Sequence, residues 1–173
     1  MSAAAGMRAT DWSTKRALGV ALAVAAAVVL LDQASKWVIL AAVMQPPRVI
    51  EVTGFFNLVL TYNTGISFGM LRGTAPWQAW ALVALALAVV AGLFMWLRRQ
   101  PDPLLAVAVG LVAGGALGNV VDRMRLAAVV DFLDFHLGAW HWPAFNLADS
   151  AITMGVALLV FDGLFREARG SKK

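Results

Sequence analysis

The chain reads as a mainly α, integral membrane protein: four transmembrane helices with a small extracytoplasmic β element between helices 1 and 2. Three observations carry this reading. Hydrophobic residues make up 61% of the 173 residues and charged residues only 14%, with a mean hydropathy of +0.75. Soluble domains carry roughly 25% charged residues, and so few charges cannot coat a water-soluble globule. Long charge-free runs recur along the chain, and the basic residues sit in small groups between them. The net charge of +4 and pI near 10.1 therefore do not indicate a nucleic-acid partner, which needs a clustered basic face. The absence of cysteine excludes a disulfide framework, a thiol nucleophile and a thiolate metal site.

A spanning helix needs about 20 mostly apolar residues. The first begins after Lys15-Arg16, runs to Leu31 without a charge, and continues through Asp32 and Lys36 to Val43. A cleaved signal peptide would share the basic start and apolar stretch. No small-residue cleavage site follows Leu31, and the apolar pattern resumes after Lys36, so the segment is expected to stay as a helix. The second span covers residues 77–97 and ends at Arg98-Arg99, after which Pro101-Asp102-Pro103 cannot continue a helix. The third covers 104–121 and the fourth 148–165. One membrane domain over residues 1–173 is expected, with outer connections at 44–76 and 122–147.

Basic residues orient the spans. With both termini on one side, that side carries Arg8, Lys15, Arg16, Arg98, Arg99, Arg166, Arg169, Lys172 and Lys173; the other carries Lys36, Arg48, Arg72, Arg123 and Arg125. The excess puts both termini in the cytoplasm. The two long connections then face outward, and long loops commonly carry function. In the first of them, residues 49–53 and 57–62 are rich in β-branched and aromatic residues, with Gly54 at the break. Asn57, Val59, Thr61 and Asn63 alternate with Leu58, Leu60 and Tyr62, as in a strand with one apolar face, suited to lie on the bilayer surface.

Six of the ten acids, Asp32, Glu51, Asp122, Asp131, Asp134 and Asp149, fall at or beyond the outer ends of the spans. Ionisable groups beside hydrocarbon are costly and point to function. Asp32 and Lys36 share a helix face at i, i+4 and read as a structural ion pair. Asn63-Thr64-Gly65-Ile66-Ser67-Phe68-Gly69 reads as a turn re-entering a helix. Asn119, Asp122 and Arg123 fall on one face of the third helix, and Asp122 and Arg123 are expected to neutralise each other. Asp131 stands in an apolar run, Val129-Val130-Asp131-Phe132. Asn146 and Asp149 open the last helix as its N-cap and third-position acid.

Capping explains Asn146 and Asp149 but neither Asp131 nor the gathering of every amide–acid cluster on one side. Two carboxylates converging in a partly desolvated site cannot both ionise easily, so one keeps its proton near neutral pH. With a water between them, the ionised member removes a proton while the other polarises a peptide carbonyl. That chemistry requires neither metal nor cofactor. His136 and His141 near Asp131 and Asp134 offer a weaker metal reading, since their spacing fits no ligand pattern. Ser67 and Ser150 lack an evident histidine partner. A small proton- or cation-coupled transporter using the same aspartates is the alternative, although such acids usually lie near the bilayer midplane.

In their order along the chain, Asp32-Gln33-Ala34-Ser35-Lys36, Asn63-x-Gly65-x-x-Phe68, Gly118-Asn119-x-x-Asp122-Arg123, Val130-Asp131-Phe132 and Phe145-Asn146-x-Ala148-Asp149 resemble the bacterial lipoprotein signal peptidases, the type II signal peptidases. The resemblance spans about residues 32 to 155. It implies an aspartic endopeptidase of the bacterial inner membrane, acting near the extracytoplasmic face. Its substrate would be a diacylglyceryl-modified prolipoprotein, cut just before the lipidated cysteine. The resemblance assigns Asp131 and Asp149 as the catalytic pair. Asn63, Gly65, Asn119, Asp122, Arg123 and Asn146 become substrate-binding or dyad-supporting residues, and Asp32 and Lys36 structural ones. Membrane lipids are the other implied partners, and a monomer is expected. The chain departs from the family at Ala127, where glycine is usual, and at Ser67, where alanine is common. The substrate would enter laterally through the bilayer to a site roofed by the 57–62 strand, with the 44–76 connection as a mobile cover.

Overall fold

The computed structural model describes residues 12–65 and 76–170. Four helices form the bundle: α1 (Thr14–Val38), α2 (Pro76–Arg99), α3 (Pro103–Leu126) and α4 (Leu147–Gly170). Each supplies a stretch long and apolar enough to cross a membrane. Helix α1 starts at Ser13, whose hydroxyl accepts from the Arg16 N–H, and ends in a π-helical turn, Ile39–Val43. Helix α3 starts at Asp102, whose carboxylate accepts from the N–H groups of Leu104 and Leu105, with Pro103 in the first helical position.

Helix α3 is the axis of the bundle and the most enclosed of the four. Its small residues permit this. A Cβ on Gly114 would lie 2.7 Å from Val28 Cβ of α1, and one on Gly118 would lie 2.6 Å from the Asp32 carboxylate. Without side chains at these positions the helices approach closely enough for van der Waals and polar contacts to hold them, as lipid offers no hydrophobic drive between helices. Large apolar side chains such as Leu22, Leu30 and Leu85 point outward, where acyl chains would cover them.

Above one end of the bundle lies a four-stranded antiparallel sheet in the order β1 (Ile50–Thr53), β2 (Phe56–Asn63), β3 (Val129–Leu137), β4 (Trp140–His141). The β element is thus larger than the sequence indicates. The first two strands lie where expected, but the second outer connection adds two more. Strand β3 gives β2 a partner for its free edge, which would otherwise leave a row of unpaired backbone groups. The register places Thr61 opposite Asp131 and Asn57 opposite Asp134, with an irregularity between Leu58 and Thr61. Leu58 and Leu60 pack against Ile39, Met44 and Phe132, so this face of the strand seats on the protein rather than on lipid.

Helix α3 also outlasts its apolar run by five residues, reaching Leu126. The charged residues Asp122 and Arg123 do not end it, because the Asp122 carboxylate turns inward to a buried partner. The helix stops at Ala127, whose left-handed backbone (φ 56°, ψ 13°) returns its N–H to the Arg123 carbonyl. A non-glycine residue pays about 1–2 kcal/mol for that conformation. Ala127→Gly is therefore expected to stabilise the protein by up to about 1 kcal/mol once the greater freedom of the unfolded glycine chain is subtracted. Thermal unfolding in detergent measures this; a lower midpoint than wild type would contradict it.

Candidate active site

Where the sheet meets the bundle, four separate parts of the chain deliver amides and carboxylates to one place. Strand β3 carries Asp131, which is 1% exposed. Its Oδ1 accepts from Asn146 Nδ2 at 2.7 Å and its Oδ2 from Asn63 Nδ2 at 3.2 Å. Asp149 stands in the first turn of α4. Its Oδ1 accepts from Asn119 Nδ2 at 2.8 Å and its Oδ2 from the Asn146 backbone N–H at 3.3 Å.

Asn146 does two jobs. Its Oδ1 accepts from the Asp149 N–H at 2.9 Å, completing with the Asp149 carboxylate a reciprocal cap of α4. Because Oδ1 is committed to the helix, the amide nitrogen must face the other way, toward Asp131, the Val130 carbonyl and Asn119 Oδ1. The capping expected from sequence is present, and the same residue reaches Asp131.

Burial first, and the neighbouring charge of Asp149 second, push the Asp131 carboxyl up to about 7, against the bonds from Asn63 and Asn146 that pull it down. Two cavities border Asp149. One of about 400 Å³ is lined by Trp142, Phe145, Ser150, Thr153 and Met154. The other, about 170 Å³, is lined by Asn63, Ala86, Asn119, Arg123 and Ile152. Asp149 thus borders open space shared with both sets of residues.

Asp122 and Arg123 do not neutralise each other as expected. Adjacent helical residues point about 100° apart and do not face one another. Asp122 pairs with Lys36 at 2.8 Å, while Arg123 Nη2 donates to the Gly65 carbonyl at 3.0 Å. Gly65 N–H in turn donates to Asn63 Oδ1 at 3.0 Å, so Arg123, Gly65 and Asn63 form a chain that ends on Asp131. The Asp32–Lys36 pair forms as expected, at 2.9 Å, and is fully buried. Gln33, which no sequence argument singled out, donates to Asp32 Oδ2, Asp122 Oδ1 and the Gly118 carbonyl. Its signal was present: a lone amide beside an acid in an otherwise apolar span.

Asp134 belongs elsewhere. Three residues from Asp131 on a strand, it faces the opposite side of the sheet. There it pairs with His141 at 2.9 Å and accepts from Asn57 Nδ2 at 3.0 Å. Burial pushes its carboxyl up, but these two bonds outweigh it and hold Asp134 below the ordinary carboxylate range. His136 stacks on His141 with ring centroids 5.0 Å apart. Among the described residues no three acids or histidines converge as a metal-binding set. Ser150 Oγ donates to the Asn146 carbonyl at 3.0 Å. Ser67, Phe68 and part of the expected 44–76 cover lie outside the described residues.

Known proteins share both the sequence and the architecture. A family model described as signal peptidase (SPase) II matches residues 24–165. A lipoprotein signal peptidase of Paraburkholderia phymatum is 49% identical over 152 residues, 87% of this chain and 90% of that protein. One of Burkholderia thailandensis is 45% identical over 161 residues, 92% and 96% of the two chains. Two solved structures described as bacterial membrane enzymes, obtained by the in meso method, superpose with TM-scores of 0.77 and 0.71. They are 29% and 30% identical, and the matches cover 90% and 85% of this chain and 94% of each structure. With a match that extends from the middle of α1 into α4, this integral membrane chain belongs to the signal peptidase II family.

Proposed function

We propose that this peptidase is an aspartic endopeptidase, with Asp131 and Asp149 as its catalytic pair. Its substrate is a diacylglyceryl-modified prolipoprotein, cut just before the lipidated cysteine. The observation that carries the reading is the double use of Asn146. One side chain caps the helix bearing Asp149 and donates to Asp131 at 2.7 Å, so the two carboxylates are held in one frame.

Near neutral pH the pair holds one proton between two acids. The ionised member takes a proton from a water as that water attacks the scissile carbonyl. The protonated member donates to the carbonyl oxygen, then the pair delivers a proton to the departing amine. Asn63, Asn119 and Asn146 keep the carboxylates aimed, Arg123 and Gly65 support Asn63, and Asp32, Lys36 and Asp122 lie behind. The chain works as one domain in the bacterial inner membrane with both termini cytoplasmic, by the nine-to-five split of basic residues. The sheet and the dyad then meet the lipidated cysteine at the outer interface. Membership in a peptidase family removes the ground for reading the same acids as a transporter's.

The substrate assignment is tested by the mass of the products. Incubation with a diacylglyceryl-modified precursor is expected to release a fragment whose first residue is the modified cysteine. Cleavage at any other bond would overturn the assignment. The pair also predicts a pH dependence. Because the Asp131 carboxyl sits at about 7, the shared proton is lost as pH rises through that value. The rate is expected to fall above pH 7 by about tenfold per unit. A flat kcat/KM between pH 6 and 9 would rule this out.

A further inference from the structure

Behind the site lies a buried charge cluster that the cleavage chemistry does not use. Asp32 of α1 and Asp122 of α3 are both fully buried, and Lys36 Nζ lies between them, 2.9 Å from one and 2.8 Å from the other. An ion pair that only neutralised charge would require one carboxylate, not two. What else these two carboxylates accept gives the second acid its meaning. Asp32 Oδ1 accepts from the Ala148 N–H at 3.0 Å, and Asp122 Oδ2 accepts from the Val130 N–H at 3.1 Å. Ala148 immediately precedes Asp149, and Val130 immediately precedes Asp131. Each buried acid thus clamps the backbone one residue before a member of the dyad, and the ammonium joins the clamps.

Lys36 has a second contact of the same kind. Its Nζ donates to Asn119 Oδ1 at 3.2 Å, and Asn119 Nδ2 donates to Asp149 Oδ1 at 2.8 Å. An ammonium can only donate, so it fixes which end of the Asn119 amide faces it. The amide nitrogen is then directed at Asp149. Gly118 makes room for the arrangement, since a Cβ there would lie 2.6 Å from Asp32 Oδ2.

We infer that Asp32–Lys36–Asp122 is a brace that sets the distance between the two catalytic segments, with Lys36 as the positioning residue that ties its halves together. The inference rests on the dyad reading above. It differs from a merely structural role in what it demands: loosening the brace must slow the chemical step more than it weakens substrate binding or the fold.

Lys36→Met alone leaves two carboxylates buried without a counter-charge, so the decisive variant is Asp32→Asn/Lys36→Met. It keeps the formal charge of the cluster at one negative, as in wild type, and leaves an amide oxygen at position 32 to accept from the Ala148 N–H. The tie between the clamps is gone. Wild type, Asp131→Asn and the double variant are purified in detergent and assayed on a diacylglyceryl-modified precursor, with thermal unfolding measured in parallel. With Asp122 still accepting from Gln33 and the Val130 N–H but without its ammonium, the double variant is expected to unfold at a lower temperature than wild type yet remain folded. Its kcat is expected to fall about 100-fold, the usual consequence of displacing reacting groups by about 1 Å. KM is expected to stay within about threefold, because substrate binding is left intact. A folded double variant with wild-type kcat would overturn the brace, and so would one that fails to fold, since the cluster would then determine the fold rather than the geometry of the dyad. A fall confined to KM would overturn it too. If Asp131→Asn cleaves like wild type, the dyad reading fails and takes the brace with it; a normal double variant beside an inactive Asp131→Asn removes the brace alone.

Discussion

Asp131→Asn and Asp149→Asn are each expected to stop processing of a lipidated precursor, a loss of about 10⁴-fold, while the protein still accumulates in the membrane. Asparagine keeps the shape of aspartate and leaves one oxygen to accept from Asn146 or Asn119, giving up only the longer bond from Asn63 or the Asn146 N–H, so most of the frame survives. What disappears is the exchangeable proton. For Asp131 the fold itself supplies a check that activity was lost for this reason. Burial and the charge of Asp149 raise its carboxyl from its ordinary value near 4 to about 7. Across that window the folded protein holds a proton that the unfolded chain has released, so stability declines as pH rises and the full cost is present above pH 7. Asp131→Asn has no such cost. It is expected to melt higher than wild type at pH 8, with the difference shrinking as pH is lowered toward 4. A variant that cleaves at the wild-type rate would sink the dyad assignment. One that melts lower at pH 8 would sink the account of the raised carboxyl.

Asn146 is the second site of large effect, because its side chain serves both the helix and the dyad. Asn146→Ala loses the N-cap of α4, which costs about 1 kcal/mol. It also loses the donor to Asp131, and removing one preorganised donor from an active site typically lowers kcat by about 10²–10³-fold. Asn146→Asp separates the two roles. Its carboxylate oxygen still accepts from the Asp149 N–H, so much of the helix-capping stability returns. It cannot donate to Asp131 and sets a third carboxyl beside the pair, so cleavage stays lost. Kinetics and unfolding on the two variants measure this. Asn146→Ala with kcat within about threefold of wild type would show that the contact to Asp131 is incidental.

The helices were legible because lipid imposes one requirement, a long apolar run, and the sequence meets it four times. Helix ends were less so. Helix α3 passes through Asp122 and Arg123, which hydropathy alone reads as a boundary, because the sequence does not say that Lys36 waits inside for Asp122. Strand β3 escaped for a related reason. Val129-Val130-Asp131-Phe132-Leu133-Asp134 lacks clean alternation, since both faces of the strand are enclosed and each carries an acid with its own amide partner: Asn63 for Asp131, Asn57 for Asp134. Its identity as a strand comes from β2, with Asn63 and Asp131 meeting across a separation of 68 residues. In the site, spacing placed Asn146 with Asp149 and Asp32 with Lys36, which are local pairs. It could not find that Gln33, Asp32 and Lys36 stand behind Asn119, or that Asp122 and Arg123 part company, because these relations exist only once the helices pack. Ala127 is the reverse case: the backbone conformation that favours glycine persists although alanine occupies it.

The central claim is that two aspartates, without a metal, cut a lipidated substrate. Its most direct test gives purified protein a diacylglyceryl-modified precursor and the unmodified precursor side by side, each with and without a strong chelator. Only the modified precursor is expected to be cut, at a rate the chelator leaves unchanged. Loss of cleavage on chelation, or equal cleavage of both precursors, would contradict it.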